Sequence, residues 1–119
     1  MTSMDTRKRT YLFSVNMIKF IDELPRDRST EIIAKQLIRS STSIGANVTE
    51  AKSSSSRRDY INFFNHALKS ANETKYWLEL LKDTGKSKKE FGDKLILEAN
   101  ELANILASSI LTLKGKKSI

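Results

Sequence analysis

Apolar and polar positions alternate along this chain with the period of helices that each bury one face. Leu37, Ser41, Ile44, Val48 and Ala51 recur at spacings of four and three, and so do Tyr60, Phe64, Ala67, Ala71, Thr74, Leu78 and Leu81. Such spacing places one small or apolar side chain per turn on a single helix face, and that face needs a partner. Between the two runs lies Ser53-Ser54-Ser55-Ser56, a connection so short that the second helix must return antiparallel to the first.

Two further helices flank this hairpin. The first spans about residues 6–24, with Phe13, Met17, Phe20, Ile21 and Leu24 as its stripe, and Pro25 ends it because a proline disfavours helical geometry in the residue before it. The second helix covers about 29–52, with Ser29 as its expected N-cap, and the third about 56–83, opened by Ser56 with Asp59 completing a capping box. Gly85 is placed to take the left-handed conformation that ends a helix. The box Ser87-Lys88-Lys89-Glu90 opens a fourth helix over about 88–113, carrying Leu95, Ala99, Leu102, Leu106, Ile110 and Leu113. No strand pattern is present. The expected fold is all-α, one domain over residues 1–119: an antiparallel up-down-up-down four-helix bundle.

These stripes leave apolar residues over. Tyr11, Leu12, Val15 and Ile18 lie off the core face of the first helix, and Ile61, Leu68, Tyr76, Trp77 and Leu80 off that of the third. Ile61 and Leu68 fit either a broad core stripe or a second buried surface. Tyr76, Trp77 and Leu80 are expected to form a subunit interface, which makes the protein a homo-oligomer.

Composition narrows the chemistry. The chain has 119 residues, no cysteine and one histidine, His66. Disulfides, thiolate metal sites and cysteine nucleophiles are excluded. The residue three before His66 is Phe63, so the Glu-x-x-His pairs of di-metal bundles are missing, and no glycine-framed serine or glycine-rich phosphate loop occurs. The expectation is a non-enzyme with no catalytic residues, no metal and no cofactor. No apolar run approaches the roughly 20 residues of a bilayer span and no signal pattern follows Met1, which makes the cytoplasm the expected compartment and excludes a membrane partner.

Charge changes the picture most. The formal net charge is +7. In the expected topology the start of the first helix, the serine turn and the end of the fourth helix share one pole. That pole gathers Arg7, Lys8, Arg9, Lys52, Arg57, Arg58, Lys114, Lys116 and Lys117 against Asp5, Glu50 and Asp59. The opposite pole is nearly balanced. Cations at a helix C-terminus favour the dipole anyway, but Arg57 and Arg58 stand at a helix N-terminus, where it disfavours them. Phosphate backbones, RNA or DNA, are the natural partner, read by charge and shape rather than by base. The alternative is an oligomeric scaffold for another protein, with the charge incidental.

One polar edge remains. Ser40, Ser43, Asn47 and Glu50 line the second helix beside its stripe, Arg39 borders them, and Glu73 lies at about the same depth on the third helix. Arg39, Ser43, Asn47, Glu50 and Glu73 are expected to form a polar network that fixes register. These residues also carry a resemblance. Arg39-Ser40-x-x-Ser43-Ile44-x-x-Asn47-x-x-Glu50-Ala51, followed by Asp59-Tyr60-Ile61-x-Phe63 and Ala67-Leu68-Lys69-x-Ala71-x-Glu73-Thr74-x-Tyr76-Trp77-Leu78, resembles the four-helix-bundle family encoded in intervening sequences of bacterial 23S rRNA genes. The resemblance implies a four-helix bundle, a ring-like pentamer and no enzymatic activity. One branch of that family, the accessory variability determinant of diversity-generating retroelements, binds nucleic acid and a reverse transcriptase, and the resemblance extends both as expected partners.

Overall fold

The computed structural model describes residues 5–115, and Lys116 and Lys117 lie outside the described residues. Four helices follow in order: α1 (Thr6–Asp22), α2 (Arg28–Ala51), α3 (Arg57–Asp83) and α4 (Lys89–Gly115). No strand occurs among the described residues. The helices form an elongated four-helix bundle of 52 × 26 × 20 Å. Each packs on its sequence neighbours, and α1 closes the ring against α4 along a much sparser seam.

Local chemistry sets the helix ends. Asp5 caps α1 by accepting from the Arg7 N–H at 2.9 Å. Helix α2 begins earlier than Ser29 would place it: Asp27 is its N-cap, accepting from the Thr30 N–H at 2.9 Å. A carboxylate is the stronger acceptor for the orphan amides at a positive helix end, and Asp27 is further held by Lys86 at 2.9 Å. Ser56 caps α3 through the Asp59 N–H at 3.1 Å. At the other end of α3 the Gly85 N–H donates to the Lys82 carbonyl and the Lys86 N–H to that of Leu81, the paired bonds of a Schellman turn, with Gly85 at φ 70°. The ladder of α4 starts with the Gly92 N–H on the Lys88 carbonyl, one residue later than a Ser87 cap requires.

The heptad stripes make the core. Leu37, Ile44, Val48 and Ala51 of α2 meet Phe64, Ala67, Ala71, Leu78 and Leu81 of α3, and Leu95, Ala99, Leu102, Leu106 and Ile110 close it from α4. Ile61 is buried and Leu68 packs against the same cluster, so both belong to a broad core stripe. Helical phase explains this: Ile61 and Leu68 share a side of α3 with Lys82, which reaches Asp93 of α4 at 3.2 Å. Phe20 and Phe91 meet edge to face at 5.2 Å across the α1–α4 seam. Among the described residues α4 alone is long and apolar enough, with a mean hydropathy of 1.2 over its most apolar stretch, to cross a bilayer by length and composition. Its stripe is instead used in the core, and Glu98 within it is paired to Arg9.

Candidate nucleic-acid interface

The four helix ends that the sequence assigns to one pole do meet. A cleft of about 320 Å³ is lined by Asp5 and Thr6 of the α1 start, Val48 and Lys52 of the α2 end, Tyr60 and Phe64 of the α3 start, and Ser108, Ser109, Thr112 and Leu113 of the α4 end. The serine turn folds beside it. The Ser53 and Ser54 amides donate to the Glu50 and Ala51 carbonyls, and the Ser54 hydroxyl donates to the Ala51 carbonyl at 2.6 Å. That tight return delivers Arg57 and Arg58 to the first turn of α3, where Arg57 lines the same groove as Lys52.

Cations outnumber the carboxylates Asp5, Glu50 and Asp59 at this pole. Arg7, Lys8, Lys52, Arg57, Arg58 and Lys114 are exposed, and among the described residues none of the six has a carboxylate within ion-pairing distance. Lys52 Nζ lies 5.8 Å from the Tyr60 ring centroid and donates a long bond of 3.4 Å to its hydroxyl. Tyr60 itself stacks on Phe64 at 5.0 Å, so the aromatic under Lys52 is anchored in the core. Arg9 is the exception. Its guanidinium forms two bonds with Glu98 at 2.7 and 2.9 Å, which raise its pKa and spend it on the α1–α4 seam. At the opposite pole the lysines are paired, Lys86 with Asp27, Lys82 and Lys89 with Asp93, and Lys88 with Glu23 at 3.6 Å, while Arg26 and Arg28 are exposed and, among the described residues, in no ion pair.

The polar edge between α2 and α3 carries several hydrogen-bonded groups along one seam. Arg39 binds Glu73, and the Trp77 indole N–H donates to the same carboxylate at 2.9 Å. Asn47 donates to the Ser43 carbonyl and hydroxyl, and Ser43 and Ser70 hydroxyls lie 2.9 Å apart. Deeper in, the buried Thr74 hydroxyl contacts that of Ser40 at 2.9 Å. Glu50 stays outside this seam, exposed at the rim of a cleft between α1 and α2. Spacing places Ser40 on this edge, but not its partner Thr74, nor Ser70 beside Ser43. Hydroxyls one turn apart on α3, at Ser70 and Thr74, facing the serines of α2 are the signal that could have found them.

Of the three residues expected at a subunit interface, Tyr76 is 59% exposed, while Trp77 and Leu80 are half-buried. Trp77 packs against the core of the bundle, with Tyr76 edge-on at 5.1 Å. Tyr11, Leu12 and Ile18 of α1 and Ile32 and Ile38 of α2 are also exposed. His66 lies exposed on α3, and no group of three or more carboxylate or histidine side chains suited to a metal occurs among the described residues.

Comparison with known proteins gives two results. The profile of a family described as 23S rRNA-intervening sequence protein matches residues 2–108. The chain also resembles a solved structure from Bacteroides thetaiotaomicron, a protein of unknown function from the S23 ribosomal protein family. That similarity has a TM-score of 0.83 at 38% identity and covers 89% of this chain and 98% of the other. No functionally curated protein matches the chain.

Proposed function

We propose, from the premise that the chain belongs to the 23S rRNA-intervening sequence protein family, that it is a non-enzymatic, homo-oligomeric accessory protein that binds nucleic acid through its basic pole. The observation that carries this reading is the set of six exposed cations where four helix ends converge, none with an ion-pair partner among the described residues, on a molecule whose other pole ties four lysines to three carboxylates. Each phosphate neutralised by such a cation releases condensed counterions, a source of affinity that needs no base contact. Arg57 and Arg58 are central because they occupy the first turn of α3 against the dipole, where structure alone gains nothing from them. In a cyclic assembly, the pentamer among them, identical poles would adjoin and their potentials add. A reverse transcriptase is a partner class compatible with such a surface.

The test is direct. Arg57→Glu with Arg58→Glu should abolish binding of a generic DNA or RNA probe while helical circular dichroism is kept and the melting temperature does not fall, since both side chains are exposed and acidic residues suit the first turn of a helix. Retained binding would remove the pole from consideration.

A second reading, an oligomeric scaffold for another protein, is favoured by exposed apolar side chains such as Tyr76, Leu97 at 63% and Leu111 at 71%. For self-association, the Tyr76 edge of α3 is the proposed contact. Tyr76→Lys should lower the mass found by light scattering without loss of helicity, and an unchanged mass would put the contact elsewhere.

A further inference from the structure

We infer that the cleft between α1 and α2 beside the basic pole receives an unpaired nucleobase, stacked on Tyr11, so that the protein prefers single-stranded nucleic acid to duplex. This rests on the proposed nucleic-acid role and adds to it the class of strand. The cleft measures about 780 Å³, within the range of about 300–1,000 Å³ typical of small-ligand sites. One wall is Tyr11, 66% exposed although it is a large aromatic ring. The floor is built of small side chains, Thr42, Ala46 and Thr49, with Gly45 between them. Gly45 lacks a Cβ where one would stand 3.2 Å from the Thr10 hydroxyl oxygen, so α1 approaches α2 closely at the base of the cleft.

Charge in the cleft is arranged by sign. Arg7 and Lys8 precede Tyr11 by one helical turn and line the same opening, exposed and unpaired. Asp5 and Glu50 also line it. Carboxylates accept hydrogen bonds and repel phosphate, so they suit the N–H edge of a base and oppose the backbone. A nucleotide therefore fits with its ring inside, against tyrosine and small side chains, and its phosphates outside over Arg7 and Lys8. Bases in a duplex are already stacked and paired and cannot enter without opening the helix. A single strand offers its bases at little cost, and aromatic stacking is tolerant of base identity.

Fluorescence anisotropy with three probes tests this: a short mixed-sequence DNA strand, an abasic strand of equal length, and a blunt duplex. Wild-type protein should bind the strand more tightly than the other two. Tyr11→Ala should weaken strand binding by roughly 5- to 100-fold, leave the abasic and duplex probes unchanged, and be rescued by Tyr11→Trp. Equal binding of strand and abasic probe, or an unaltered strand affinity in Tyr11→Ala, would overturn the inference while leaving the basic pole intact. A reduced oligomeric mass of Tyr11→Ala with unchanged affinity would make the cleft a subunit contact and likewise overturn it. Failure of the underlying reading shows differently, as strand binding that survives Arg57→Glu with Arg58→Glu.

Discussion

Asp27 shows how much one side chain can join. It caps α2 through the Thr30 amide and receives Lys86 from the α3–α4 connection, and these bonds hold its pKa well below the ordinary carboxylate value of 3.8. A depressed folded-state pKa means that the stabilisation is present above the unfolded value and is lost as pH falls below it. Asp93, paired with Lys82, is lowered in the same direction. Thermal melts should therefore show stability declining as pH drops below about 4. Asp27→Asn should flatten that decline, because its amide can cap but does not titrate. A variant with the same acid profile as wild type would show that the cap and ion pair contribute nothing to pH dependence. The spacing of polar residues points to Ser29 as the cap because serine precedes the apolar stripe, yet Asp27 closes the cap on the Thr30 amide three residues on. Local pattern offers both residues as caps, as it offers Ser56 and Gly85 elsewhere. It does not carry the ion pair that Lys86 adds to Asp27 from the α3–α4 connection, 59 residues away along the chain.

At the scale of elements, the same division holds. Four amphipathic stripes were readable because each stripe is continuous and α2 and α3 share a seven-residue repeat across a short turn. Which flanking residues are buried was less readable, since that depends on where the neighbouring helix sits: Ile61 and Leu68 turn toward α4, while Tyr11 and Ile18 turn to solvent beside α2. The Arg9 side chain likewise leaves the charge cluster for Glu98, a pairing set by the α1–α4 contact rather than by sequence distance. Helix α1 is the most loosely joined element, and its seat on α2 depends on Gly45 under Thr10, a residue fully buried. Gly45→Val should lower unfolding free energy in urea by about 1–3 kcal/mol, because its Cβ alone would stand 3.2 Å from the Thr10 hydroxyl oxygen and 3.5 Å from the Thr10 carbonyl carbon, and the two further methyl groups add bulk at that contact. Unchanged or increased stability would mean that α1 shifts freely on α2.

For the whole molecule, the consequence of folding back three times is an uneven charge distribution. Cations that are far apart in sequence become neighbours around the serine turn, while the other pole ties its lysines to carboxylates. The positions of these charges followed from topology, and topology was legible. Their freedom from partners was not, since ion pairing is decided by side-chain reach across helices.

The dependence of affinity on salt tests the nucleic-acid reading most directly. With four to six phosphate contacts made by Arg7, Lys8, Lys52, Arg57, Arg58 and Lys114, a plot of log affinity against log salt should have a slope of about −3 to −5. A slope near zero, or no binding even at low salt, would contradict the account.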